Sequence, residues 1–184
     1  MSPVTPVTPV TIDARAARIK LLLFDIDGVL TDGTVVIHAD GRESKTFGIR
    51  DGIGVVWAQR AGLRVGFLSA RTSATTAHRA AQIGVTLVHQ GVKSKMVTYQ
   101  RILADEGVND AEVAFMGDDI VDLAVLARVG LAAAPADAVE DVRRRVHFVS
   151  RFPGGAGAAR ELVELVLRAQ QRWDGIVSAY LQES

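Results

Sequence analysis

Leu21-Leu22-Leu23-Phe24 runs without a polar residue straight into Asp25-Ile26-Asp27-Gly28-Val29-Leu30-Thr31-Asp32-Gly33, so an apolar strand must deliver two carboxylates to a glycine-containing loop. Carboxylates at the end of a buried strand repel one another and resist desolvation, and they persist with a cation or as part of a reaction centre. A second apolar run, Val113-Ala114-Phe115-Met116, ends in Gly117-Asp118-Asp119, with Asp122 one helical turn later. Two acid-rich strand ends point to one metal site.

The remainder of the chain supports that reading by exclusion. The 184 residues contain no cysteine, which removes disulfides, thiolate metal sites and cysteine nucleophiles together. Hard oxygen donors remain and favour Mg²⁺. Twenty-one basic residues balance 21 acidic ones, so no global field attracts nucleic acid or an anionic membrane. No apolar run approaches the roughly 20 residues that span a bilayer, and the Pro/Thr repeat from Ser2 to Val10 lacks the basic start and long apolar segment of a signal peptide. The expectation is a cytoplasmic protein with a disordered tail over residues 1–17 and one domain over 18–184.

From Ile19 onward short β-rich runs alternate with amphipathic stretches, the pattern of an α/β doubly wound, Rossmann-like, mostly parallel sheet covered on both faces. Strands are expected at 19–24, 64–68, 86–88, 112–116, 131–133 and 147–149. Helices are expected at 53–61, 73–83, 95–106, 120–129, 139–144 and 158 to about 180. The last would carry its apolar face on through Trp173, Ile176, Val177 and Tyr180. One stretch, about 34–47, has β-rich flanks around Asp40-Gly41 and reads as an inserted hairpin. Its first arm is too apolar for a ribbon in water, so it is expected to pack on another subunit. No insertion is long enough for a lid domain. His38, His78, His89 and His147 fall on different elements without ligand spacing and read as structural.

Ligands of open α/β sheets bind beyond the carboxyl ends of the strands, where Asp25, Asp27, Ser69 and Asp118 all fall. A carboxylate nucleophile that attacks a phosphate monoester faces anion repulsion, which a bridging Mg²⁺ relieves. Asp25 is placed to attack, and Asp27 to protonate the leaving alkoxide and then activate water. Gly28 leaves room for phosphate beside the backbone. Ser69 and the N–H groups after it could hold a phosphoryl oxygen at a helix N-terminus, and Lys95, at the start of a helix, could supply a cation, with Lys93 its rival.

Asp25-Ile26-Asp27-Gly28-Val29, Ser69, Lys95 and Gly117-Asp118-Asp119-Ile120-Val121-Asp122 together resemble the four ordered motifs of the haloacid dehalogenase superfamily of phosphatases. The resemblance implies that Asp25, the main-chain carbonyl of Asp27 and Asp118 hold Mg²⁺, that Asp119 lies nearby, and that Asp122 orients Lys95. The missing cap, together with Asp32-Gly33, Phe47-Gly48-Ile49-Arg50-Asp51-Gly52, His89-Gln90-Gly91 and the segment Gly154 to Glu161, resembles the capless 3-deoxy-D-manno-octulosonate 8-phosphate phosphatase group over about residues 19–172. That group implies a small phosphorylated sugar acid as substrate, Arg50, Asp51 and Arg71 as contacts to it, and a homotetramer whose hairpins meet at the centre while neighbouring subunits complete the active sites. Arg151 and Arg160 could reach the same pocket or a neighbouring one.

Two positions depart from the pattern. Ser69-Ala70-Arg71 replaces the usual Thr-Gly-Arg, which keeps the hydroxyl and guanidinium and adds the Ala70 methyl where phosphate approaches. Ala156 stands where the group commonly carries an arginine that contacts substrate across the subunit boundary. A nonulosonate 9-phosphate or another small sugar phosphate is the alternative substrate, and a noncatalytic tetramerisation module the alternative role. A signalling receiver domain has similar residues in a different order, with its acid pair on the first strand.

Overall fold

In a computed structural model that describes residues 10–182, six strands form one parallel sheet. They are β1 (Leu21–Phe24), β4 (Arg64–Leu68), β5 (Leu87–His89), β6 (Val113–Met116), β7 (Leu131–Ala134) and β8 (Phe148–Val149), ordered β5-β4-β1-β6-β7-β8. Every pairing is parallel. The unbroken apolar run of β1 follows from burial on both faces: Leu22 and Phe24 enter one core, Leu21 and Leu23 the other. The first core is covered by α1 (Ile12–Ala16), α2 (Ile49–Arg60), α3 (Ala74–Gln82) and α7 (Ala158–Ala169), the second by α4 (Lys95–Glu106), α5 (Leu123–Leu126) and α6 (Glu140–Arg143).

The chain leaves β1 toward β4 and β5, then crosses back to β6 and runs outward through β7 and β8. The direction of winding reverses between β1 and β6, where the loops that leave the two paired strands run to opposite sides and open a crevice beyond their carboxyl ends. Phe24 is level with Met116 across that junction, and the Asp25 N–H donates to the Met116 carbonyl at 3.0 Å. Asp25 and Asp118 therefore leave the sheet side by side.

The insertion between β1 and α2 is a short hairpin, β2 (Val36–Ile37) against β3 (Glu43–Ser44), turning at Asp40-Gly41 with Gly41 at φ +83°. Val36 and Ile37 are exposed. The second arm docks on α3, where the Thr75 hydroxyl donates to the Glu43 carbonyl at 3.4 Å. Among the described residues no separate domain stands over the sheet, and no helix is long and apolar enough to cross a membrane.

Three expectations change. The tail expected over residues 1–17 gives way to α1, capped by the Thr11 hydroxyl, with Ala16 fully buried; residues 1–9 lie outside the described residues. Helix α2 starts at Ile49 rather than Ile53 and so includes Gly52 and Gly54, which serve as contact points. A Cβ on Gly52 would lie 2.1 Å from the Arg79 guanidinium, and one on Gly54 2.9 Å from Arg160 Cδ. The long C-terminal helix breaks after α7, where Gln171 adopts φ 57°, and resumes as α8 (Trp173–Gln182). The Gln170 amide donates to the Ile19 carbonyl at 2.7 Å and Arg172 to that of Ala61 at 2.8 Å, while Trp173 meets Trp57 edge-on at 5.5 Å. Those tertiary bonds hold a left-handed stop that glycine usually occupies.

Candidate active site

Lys95 opens α4 behind a Ser94 cap, and its ammonium is buried between two carboxylates, 3.0 Å from Asp25 Oδ2 and 2.5 Å from Asp122 Oδ1. Burial alone would lower the lysine pKa, but Asp25 and Asp122 outweigh it and hold the group charged. Asp122 is fully buried, and its second oxygen accepts from the N–H groups of Asp118 (3.1 Å) and Asp119 (3.4 Å). Lys93, the rival cation, is exposed.

The chain after β6 turns through a 3₁₀ segment, Ile120–Asp122, started by Asp119, whose Oδ1 accepts from the Ile120 N–H at 2.6 Å. The continuous helix expected over 120–129 is thus a 3₁₀ turn followed by α5. That tight turn folds Asp122 back under the loop and leaves Asp118 facing Asp25. One oxygen each from Asp25, Asp118 and Asp122 falls within 4.8 Å of the others.

This cluster is charged to its limit. Burial, opposed by Lys95 and reinforced by Asp122, pushes the Asp25 carboxyl up to about 6. Burial together with Asp25 and Asp122 pushes Asp118 up to about 7. Asp118 Oδ1 is buried without a hydrogen-bond partner. Both oxygens of Asp122 are occupied, so Asp25 and Asp118 are the carboxylates with coordination capacity to spare. Hard, unpartnered carboxylate oxygens that resist ionisation together fit a divalent cation such as Mg²⁺. Gly28, at φ +92°, makes way for one of them: a Cβ there would stand 2.1 Å from Asp118 Oδ2. The room that a side chain would need is taken by Asp118.

A cavity of about 210 Å³ opens onto Asp25, Asp27, Ser69, Ala70, Arg71, Lys95, Asp118 and Asp119. Ser69 is buried at the end of β4, and its hydroxyl accepts from the Arg71 N–H at 3.2 Å. It sits in a turn of its own rather than at a helix N-terminus, since α3 begins only at Ala74 behind its Ser73 cap. Arg71 Nη2 meets Glu43 Oε2 at 3.1 Å, and its Nε lies 3.5 Å from Asp27 Oδ2.

Two expected substrate contacts lie elsewhere. Asp51 is buried, and its oxygens accept from the N–H groups of Gly157 (3.0 Å) and Arg160 (2.9 Å), capping α7 across the fold. Burial raises its pKa against those donors. At 1% exposure and bonded through both oxygens to the start of α7, it serves the fold. Arg50 is exposed and borders a different cavity, of about 370 Å³, with Arg151, Ala156 and Arg160. His147 is structural, its Nδ1 accepting from the Ala132 N–H at 2.9 Å.

The hairpin supplies two residues that sequence reasoning missed. The Lys45 side chain is buried, its Nζ 2.6 Å from Asp27 Oδ1 and 3.9 Å from Glu43 Oε1. The ion pair with Asp27 is close in distance but off the direction of a hydrogen bond, for neither group has a hydrogen-bond partner. The available signal was the alternation Glu43-Ser44-Lys45, which sends both charges to one face of the second arm.

No protein-family model matches the sequence. A curated relative does: 3-deoxy-D-manno-octulosonate 8-phosphate phosphatase (KdsC) of Yersinia pestis is 38% identical over 161 residues, 88% of this chain and 86% of the relative. The chain belongs to the KdsC phosphatase family. This family lies in the HAD superfamily, to which its solved neighbours belong. The crystal structure of the Yersinia pestis phosphatase superposes with a TM-score of 0.88 over 92% of this chain and 91% of its own. A Moraxella catarrhalis member, solved with magnesium, phosphate and KDO, is 30% identical, with a TM-score of 0.90 over 92% and 97% of the two chains. A cobalt-bound Haemophilus influenzae member is 36% identical, with a TM-score of 0.83 over 85% and 92%.

Proposed function

We propose that this KdsC-family protein is a cytoplasmic, Mg²⁺-dependent phosphatase that hydrolyses 3-deoxy-D-manno-octulosonate 8-phosphate to the free sugar acid and phosphate. The observation that carries the chemistry is Asp25, held by Lys95 at the β1/β6 junction beside the unpartnered carboxylate of Asp118. The substrate follows from the KdsC relatives, among them one solved with magnesium, phosphate and KDO.

Asp25, Asp118 and the main-chain carbonyl of Asp27 would hold the metal, which neutralises phosphate charge and so lets a carboxylate approach. An Asp25 oxygen attacks phosphorus, forming an aspartyl-phosphate as the bond to the sugar C8 oxygen breaks. Asp27, as the acid, passes its proton to that oxygen. It then takes a proton from water, whose oxygen attacks phosphorus and breaks the bond to Asp25, releasing phosphate. Lys95 keeps the nucleophile oriented, Asp122 keeps Lys95 in place, and Ser69 with the Ala70 and Arg71 turn lines the phosphoryl side.

The expected homotetramer belongs to the same proposal, with the exposed Val36 and Ile37 as the surface between copies. Arg50 borders a recess beyond the catalytic cavity with Arg151 and Arg160, which pair with Glu161 and Glu164 there, and Ala156 leaves it without a further guanidinium. This favours a second reading in which another sugar-acid phosphate is preferred. Phosphate release with and without Mg²⁺ is the test, comparing the octulosonate 8-phosphate with a nonulosonate 9-phosphate and hexose phosphates. Preference for the first is expected in the wild type. Preference for another substrate, shifted back by Ala156→Arg, would keep the chemistry and replace the substrate.

A further inference from the structure

Asp27 is held in the catalytic cavity by ion pairs alone. Asp122 is fixed by Lys95 and two backbone N–H groups, and Asp25 by Lys95. Both Asp27 oxygens are buried, yet neither accepts a hydrogen bond. Among the described residues its charge partners are Arg71, distant at 3.5 Å and itself half-exposed, and Lys45 at 2.6 Å. Lys45 is the opposite of a typical hairpin lysine, with only 1% of its side chain exposed. Desolvating an ammonium is costly unless a carboxylate meets it, and here the close carboxylate is Asp27.

We infer that Lys45 is a positioning residue: delivered by the hairpin, its ammonium holds the Asp27 carboxyl in the direction from which it exchanges a proton with the leaving oxygen. The inference rests on the acid–base role proposed for Asp27. A carboxyl free to rotate about its side-chain bonds spends little time facing the reacting oxygen, whereas one clamped at a single oxygen is held near the productive direction. Glu43 completes the clamp, pairing with Arg71 at 3.1 Å and standing 3.9 Å from Lys45, so two cations and two carboxylates close on one another. The hairpin thereby becomes part of the catalytic apparatus of its own chain, independently of any neighbour.

The test separates substrates by their need for a proton. An alkyl phosphate such as the octulosonate 8-phosphate expels an alkoxide that must be protonated, whereas 4-nitrophenyl phosphate expels a stable phenolate. With kcat/KM as the readout, only steps up to phosphoryl transfer count. Lys45→Met should lower kcat/KM for the alkyl phosphate by roughly ten- to a hundredfold and for the aryl phosphate by less than about threefold. Lys45→Arg should recover part of the alkyl activity. Because both substrates are measured on one preparation, the ratio does not depend on how much of the variant has folded. An equal loss on both substrates in Lys45→Met would overturn the inference.

Asp27→Asn, measured on the same pair, tells the two claims apart. If it loses alkyl activity selectively while Lys45→Met does not, the acid stands and the lysine falls. If Asp27→Asn is itself unselective, the acid assignment fails and takes the lysine with it.

Discussion

The strand ends and the hairpin meet at one cavity but are held by opposite means. Asp25 and Asp118 leave neighbouring, fully buried strands whose register is locked by backbone bonds on both sides. Lys45 and Glu43 arrive on a two-stranded ribbon with two residues per strand and an exposed outer arm. Groups that must keep sub-ångström geometry sit on the rigid sheet. The group that turns a proton donor sits on an element that packing elsewhere can adjust.

The sharpest way to break this contrast is at Asp25. Asp25→Asn should lower turnover by more than about a thousandfold while the protein folds normally, since Lys95 keeps Asp122 as a partner. Phosphate release from rigorously purified variant, beside its circular dichroism, checks this. Substantial residual turnover would remove Asp25 as nucleophile.

Asp122→Ala attacks the rigid side from beneath. It strips a buried ammonium of its closest carboxylate and frees two backbone N–H groups, so a stability loss of about 3 kcal/mol is expected with the loss of activity. Urea unfolding measures the first. A loss of activity at unchanged stability would mean that Asp122 does more than hold Lys95.

The same side should respond to pH. Asp25 and Asp118 have folded values of about 6 and 7, above the ordinary 3.8. A carboxyl raised in this way binds its proton more tightly in the folded chain, so its stabilisation is complete below about pH 4 and is lost as pH rises through 6 to 7. Metal-free protein should therefore be less stable at pH 8 than at pH 5, by on the order of a few kcal/mol, and Mg²⁺ should flatten the profile. Melting curves in EDTA and in Mg²⁺ decide; parallel profiles would detach these carboxylates from the metal.

The hairpin should show the smallest effect on the fold. Val36→Asp with Ile37→Asp changes exposed side chains, so chain stability should move by less than about 0.5 kcal/mol while association between copies is lost. Light scattering across a concentration series reads the second. An unchanged mass would place the contact elsewhere.

Much of this architecture was legible one residue at a time. Strand β4 and helix α4 fall at their expected bounds, Arg64–Leu68 and Lys95–Glu106, because a doubly buried strand needs an unbroken apolar run and a capped helix has Ser94 before it and Gly107 after it. That Asp25, Asp27, Ser69 and Asp118 converge was legible because parallel strands all end on one side, while the residues alone left Lys95, at a helix start, beside its rival Lys93. What escaped were effects with a distant cause. Asp51 looks like a substrate ligand in its local motif, yet it caps a helix more than a hundred residues away. Gln171 carries no local stop signal and is bent by bonds that its neighbours make to Ile19 and Ala61.

Local pattern was therefore enough for the strands of the sheet and for most helices, though not for α1 or the break at Gln171, and for which carboxylates emerge at the sheet's carboxyl edge, because periodicity and capping are short-range. Tertiary structure alone decided which buried charges find partners. That Lys45 reaches Asp27, that Arg50 opens onto a separate recess, and that Gly28 yields its space to Asp118 all depend on chain segments meeting in space, and the cost of leaving a charge unpaired is settled only there.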